Sequence, residues 1–150
     1  MSLETQLSES IKEAMRAKDS NKLTALRSIR AAFLNLKTSE EFAGKEVPEE
    51  YRLKALQKMI KQRNDSADIF KGANRSELYE KEIFEISIIE NFLPKKMTDA
   101  EVEIAVKEAI AETGALSVKD MGKVMGLLTK NLAGRADNKT VSNFVKQHLS

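Results

Sequence analysis

Leu93-Pro94-Lys95-Lys96-Met97-Thr98-Asp99-Ala100-Glu101 is the stretch on which the architecture turns. Pro94 has no N–H and restricts the residue before it, so a helix running toward it stops at Leu93. Thr98 followed three residues later by Glu101 is a capping box. The hydroxyl accepts from the N–H of residue 101, and the carboxylate reaches back to the N–H of residue 98. One set of helices ends here and another begins. The expected domains are 1–94 and 95–150.

Upstream, Leu3, Leu7, Ile11, Ala14 and Met15 recur at helical spacing and predict an amphipathic helix over 2–18. Asp19-Ser20 supplies an N-cap for a second helix. Its stripe is Leu23, Leu26, Ile29, Ala32, Phe33 and Leu36, and Gly44 ends it. Pro48 suits the first turn of a third helix, where a missing N–H is harmless. Leu53, Leu56, Met59, Ile60, Ala67 and Phe70 carry that helix to Gly72. Asn74-Arg75-Ser76-Glu77 resembles a capping box for a fourth, striped by Leu78, Ile83, Ile86, Ile89 and Leu93. Short connections favour antiparallel neighbours, so the first ninety-odd residues read as a bundle whose last two helices form a hairpin.

Downstream, Val102, Ala105, Val106, Ala109 and Ile110 face one way, and Gly114 stands where a left-handed C-terminal cap favours glycine. Ser117-Val118-Lys119-Asp120 is a box-like start with Asp in place of Glu. Met121, Val124, Met125 and Leu128 follow. Asp137 caps a last helix that buries Val141, Phe144, Val145 and Leu149. The fold class is all-α: a helical bundle or hairpin followed by a small three-helix domain.

Composition bounds the chemistry. The 150 residues contain no cysteine, which excludes disulfides, thiol nucleophiles and cysteine-bound metal centres. Aromatics are 5% and Trp is absent, so aliphatic residues and Met must form the core. No apolar run approaches the roughly 18 residues of a membrane span. The first residues show neither a signal-peptide nor a transit-peptide pattern. The expected location is the cytoplasm, with no membrane association.

Charge is distributed unevenly. From Gly114 to Ser150 six cations face only Asp120 and Asp137, leaving +4, whereas residues 95–113 carry −2. Such a basic third is either an electrostatic footprint for a polyanion or a solvated face with few acids.

Candidate catalytic groups are scarce. The lone histidine, His148, sits near the end of the last helix, a poor place for a general base that must lie in a rigid cleft. It reads as an exposed or partly packed side chain. Paired acids such as Glu82 and Glu85 lack a histidine at metal spacing and read as a solvated face. No catalytic residue, metal site or cofactor is expected, and no phosphate loop or dinucleotide fingerprint occurs.

Three glycines stand out. Gly122 and Gly126 fall inside a short helix, where each costs roughly 1 kcal/mol relative to Ala. Spaced four apart, they share a face and permit close approach by a neighbouring helix or by a bound backbone. Close helix packing is the first of these readings. Gly134-Arg135-Ala136-Asp137 reads as a tight turn with a cap. Lys123, Arg135 and Lys139 stand around these glycines, with Lys139 in a first helical turn whose N–H groups favour phosphate. They are the candidate nucleic-acid contacts. Arg27 and Arg30 share a face and either extend the patch or pair with nearby acids.

These segments resemble a known family. Asp120-Met121-Gly122-Lys123-Val124-Met125-Gly126, with Gly134-Arg135-Ala136-Asp137-x-Lys139-x-Val141, is similar to the signature of the YqeY-like family. Lys61-Gln62-Arg63-x-Asp65-Ser66, Phe92-Leu93-Pro94 and Leu26-Arg27-x-Ile29-Arg30-Ala31-Ala32 fit as well. The resemblance spans essentially the whole chain. It implies a helical N-terminal domain and a three-helix C-terminal one, the latter similar to the tail of the B subunit of the glutamine-dependent tRNA amidotransferase. That tail contacts tRNA, while amide transfer occurs elsewhere. Family members carry the label of carbon–nitrogen ligase with glutamine as amido-N-donor, yet this chain has no region for the catalytic cradle or glutaminase. The implied function is a tRNA-binding or amidotransferase-associated accessory module, with tRNA, amidotransferase subunits or another protein as partner. A helical protein–protein adaptor without nucleic-acid binding is the alternative.

Overall fold

The computed structural model describes residues 2–149, which form seven α-helices, one 3₁₀ turn and, among the described residues, no strand. The architecture is all-α, as the helical stripes require. Helices α1 (Leu3–Arg16), α2 (Ser20–Thr38), α3 (Glu49–Gly72) and α4 (Ser76–Glu90) make one compact unit up to Leu93. Helices α5 (Asp99–Thr113), α6 (Met121–Asn131) and α7 (Asn138–Leu149) make a second from Pro94 on. A 3₁₀ turn, Val118–Asp120, leads into α6.

Side-chain caps set several helix starts. Ser2 Oγ accepts from the Thr5 N–H at 3.2 Å, and Asp19 Oδ1 from the Lys22 N–H at 3.1 Å. Thr98 and Glu101 close the full box. Gly114, at φ 68°, ends α5 in the left-handed region that glycine enters without penalty. Two expected starts differ. Asn74 makes no box, because its own backbone is left-handed at φ 57° and closes the end of α3. α4 consequently starts with no side-chain cap at Arg75. At Ser117 the hydroxyl accepts from the Lys119 N–H at 3.3 Å, while Asp120 Oδ2 takes the Leu116 N–H at 3.0 Å. The chain therefore enters α6 through the 3₁₀ turn.

In the first unit α1 lies on α2, α3 pairs with α4, and α2 touches both hairpin helices. The core joins Leu3, Leu7, Ile11 and Ala14 of α1 to Ala25, Leu26, Ile29 and Phe33 of α2. Leu56, Ile88, Ile89 and Phe92 complete it. Burying each large aliphatic contributes about 1.5–3 kcal/mol. Leu78 and Ile83, expected inside, are exposed at 40% and 41%. The N-terminal half of α4 shows its free side to solvent, since a pair of helices covers only one stripe on each.

In the second unit α5, α6 and α7 touch one another pairwise. Val102, Val106 and Ala109 meet Val124, Leu128, Leu132 and Ala136 from the α6 side and Val141, Val145 and Leu149 from α7. Phe144, expected buried, is only partly covered.

Candidate functional site

The basic residues singled out in the sequence lie on the second unit, and all three are exposed. Lys123 stands in the first turn of α6. Arg135 and Lys139 stand beyond the far end of that helix, on either side of Asp137. From Lys123 to Asn131 the helix rises about 12 Å.

The Arg135 end is assembled by the backbone. Gly134, buried and at φ 77°, turns the chain where a side chain would strain it. The Arg135 carbonyl then accepts the Met97 N–H at 2.8 Å, which brings the 95–97 segment alongside. Lys95 arrives with it. The Glu101 carboxyl is held below the usual carboxylate range by the Thr98 N–H, then by the Thr98 hydroxyl, with the charges of Arg135 and Lys95 adding to the effect. Both cations therefore stand near the start of α5. Asp137 Oδ1 accepts the Lys139 N–H at 3.2 Å, so its carboxylate is turned to the backbone. Lys95 was not singled out in the sequence. Only the pairing of Met97 with Arg135, distant in sequence, brings it here.

At the other end, the Asp120 carboxyl is also held low, chiefly by the Leu116 N–H, with Ser117 and the charge of Lys123 contributing. Both acids of the 114–150 segment thus bond to backbone donors while the lysines and the arginine face solvent.

Gly122 and Gly126 do not have the helix neighbour expected of close-packing glycines. A Cβ built on either would meet no heavy atom within 4 Å. Both sit on the exposed side of α6, opposite the buried Val124 and Leu128.

Other polar groups were misread as a solvated face. Glu85 is buried at 5% exposure and pairs with Arg63, which also reaches Glu82 at 3.4 Å and donates to Ser28 Oγ at 3.2 Å. The signal was present in the spacing. Arg63 falls on the α3 stripe between Met59 and Ala67, and Glu85 lies one turn before Ile89. A groove of about 400 Å³ beside Glu85 is lined by Phe84, Glu80, Thr24 and Asn21. The Arg63 guanidinium already engages one oxygen of Glu85 beside this groove. His148 Nε2 lies 3.0 Å from Glu103 Oε1, tying α7 to α5. Among the described residues no group of three or more His, Cys, Asp or Glu is arranged to hold a metal. No helix among them is long and apolar enough to cross a membrane.

The family description "Yqey-like protein" matches residues 4–149. Among curated relatives, the chain is 30% identical over 147 residues to "Altered inheritance of mitochondria protein 41, mitochondrial" of Pyrenophora tritici-repentis, covering 94% of this chain and 77% of that protein. The protein of the same name from Lachancea thermotolerans is 36% identical over 101 residues, 67% of this chain and 53% of the relative. That from Candida glabrata is 34% identical over 102 residues, 67% and 55% respectively. The chain thus spans about half the length of the latter two. These names overturn the cytoplasmic location expected above, since the relatives are named as mitochondrial proteins. A lack of cysteine is compatible with many compartments and did not decide between them.

Proposed function

The chain belongs to the YqeY-like family, and on that premise we propose that it is a helical accessory module that binds folded RNA of the tRNA kind through its second unit. The observation that carries this reading is the charge arrangement of residues 114–150. Lys123, Arg135 and Lys139 are exposed, Lys95 joins Arg135, and the segment's two acids bond to backbone N–H groups. Phosphate is the ligand chemistry that such a surface suits. Phe144 is the only aromatic residue in this unit and is partly covered, so stacking of single-stranded bases has little to rest on. Shape and backbone charge of a structured RNA would be read instead. The resemblance of the C-terminal segment to the amidotransferase tail supports tRNA as that RNA, and the relatives' names support a mitochondrial setting.

Electrophoretic titration with total tRNA at several salt concentrations tests the proposal. Affinity should fall steeply with salt as displaced counterions are restored. Changing Lys123, Arg135 and Lys139 together to Ala should lower the magnitude of the log–log salt slope by about 2–3 and weaken binding roughly 10- to 100-fold, with helicity unchanged. Wild-type affinity in the triple variant would remove these residues from the interface. Absence of any tRNA binding, together with retention of a protein partner after nuclease treatment, would favour the adaptor reading.

A further inference from the structure

We propose that α2 of the first unit is a second, separate contact for RNA phosphate, carried by Arg27 and Arg30. The inference rests on the RNA reading above and extends it to the unit that reading leaves idle. Cations and acids balance over residues 1–94, yet they are not evenly spread. α2 holds Lys22, Arg27, Arg30 and Lys37 and not one Asp or Glu in its 19 residues.

Spacing sorts these four. Arg27, Arg30, Leu34 and Lys37 step along the helix by three, four and three residues, so they share one face, and all four are exposed. The buried side is formed by Ala25, Leu26, Ile29 and Phe33. The other exposed side chains of α2 are uncharged. Lys22 lies off this face. It is half-buried and lines a pocket with Glu9 and Glu13 of α1.

The sequence left open whether Arg27 and Arg30 pair with acids nearby. Among the described residues neither makes an ion pair, whereas Arg52 is held by Glu4 and Glu49, and Arg63 by Glu82 and Glu85. Acids stand toward the ends of α2. Asp19 caps its first turn, Glu77 and Glu80 line a groove with Asn21 and Thr24, and Glu40 and Glu41 follow its last turn. The middle keeps two guanidinium groups about one turn apart with no carboxylate on them. A guanidinium is a planar fork of donors that matches phosphate, is always charged and is weakly hydrated. Two such forks on a rigid helix suit a phosphate backbone, and Leu34, 57% exposed on the same face, offers apolar surface to the ribose beside it. Carboxylates of an acidic protein would meet the same charges, but the phosphate-facing cations of the second unit favour RNA.

Titration of the full chain with total tRNA at several salt concentrations tests it. Arg27→Ala with Arg30→Ala should weaken binding roughly 5- to 30-fold and lower the magnitude of the log–log salt slope by about 1–2. Helicity and melting temperature should not change, because both side chains are exposed. Arg27→Lys with Arg30→Lys should keep the slope but recover only part of the affinity, since the charges stay and the forks go. Arg16→Ala with Arg75→Ala removes the same net charge from exposed sites on α1 and before α4, and should change affinity less than about twofold. An equal loss in that control overturns the proposal, because net charge would then suffice. Wild-type affinity and slope in the Arg27 and Arg30 alanine variant also overturn it, and leave the second-unit reading standing if the Lys123, Arg135 and Lys139 variant is weakened. A loss in the α2 variant with none in that triple variant upholds α2 and removes the second-unit residues instead. A wild type that binds no tRNA overturns both, and a protein partner retained after nuclease treatment but lost from the α2 variant would then assign the face to an acidic protein.

Discussion

Gly122, in the first turn of α6, and Gly126, near its middle, give up side chains without any neighbour in the fold requiring it. Neither has the positive φ that would forbid a side chain. Alanine at each position should therefore stabilise the fold by about 0.5–1 kcal/mol, through the entropy that glycine loses on becoming helical. Thermal unfolding of Gly122→Ala and Gly126→Ala at low protein concentration checks this, and a lower melting temperature in either would show that the space is not open. Gly134 should behave oppositely. At φ 77° an alanine is strained, and the expected loss is about 1–2 kcal/mol. The sequence marked all three glycines as special, but spacing alone did not separate the two with open space from the one the backbone demands.

At the scale of elements, Arg63 fastens the α3–α4 hairpin through Glu82 and Glu85 and ties it to α2 through Ser28. A buried pair of this kind is sensitive to losing one member, because the other remains as an uncompensated charge. Arg63 is partly exposed, so Arg63→Ala should destabilise the first unit by less than a fully buried pair would lose, about 1–3 kcal/mol in urea denaturation. Replacing Arg63 and Glu85 together with Met and Leu should recover most of that loss, since well-packed apolar side chains of similar volume substitute for such a pair. A double variant as unstable as the single one would show that the charges do more than fill the interface. The helices themselves were legible from their stripes, and the box at Thr98 from its spacing. The box expected at Asn74 failed because the end of α3 required that residue's backbone in the left-handed region. A capping motif and a terminating residue look alike in sequence.

At the scale of the whole molecule, we propose that the units on either side of Leu93 and Pro94 are separate folding domains. Lys95 and Lys96 are exposed in the connection. Brief trypsin treatment should cut there first and leave two fragments that each resist further digestion. Early cleavage within helices on both sides would contradict this. Apolar period, proline and cap spacing determined by themselves the helical class, the number of helices and their approximate ends, because these depend on residues a few positions apart. The basic character of the last third was likewise written in composition. Tertiary structure alone decided which charges share a neighbourhood. Lys95 joins Arg135 because a backbone hydrogen bond spans Met97 and Arg135, and Glu85, which its spacing puts on a buried stripe, meets Arg63 because α3 pairs with α4. It also decided that the paired glycines face open space. Such contacts depend on how helices distant in sequence are set against one another, and no local periodicity encodes that.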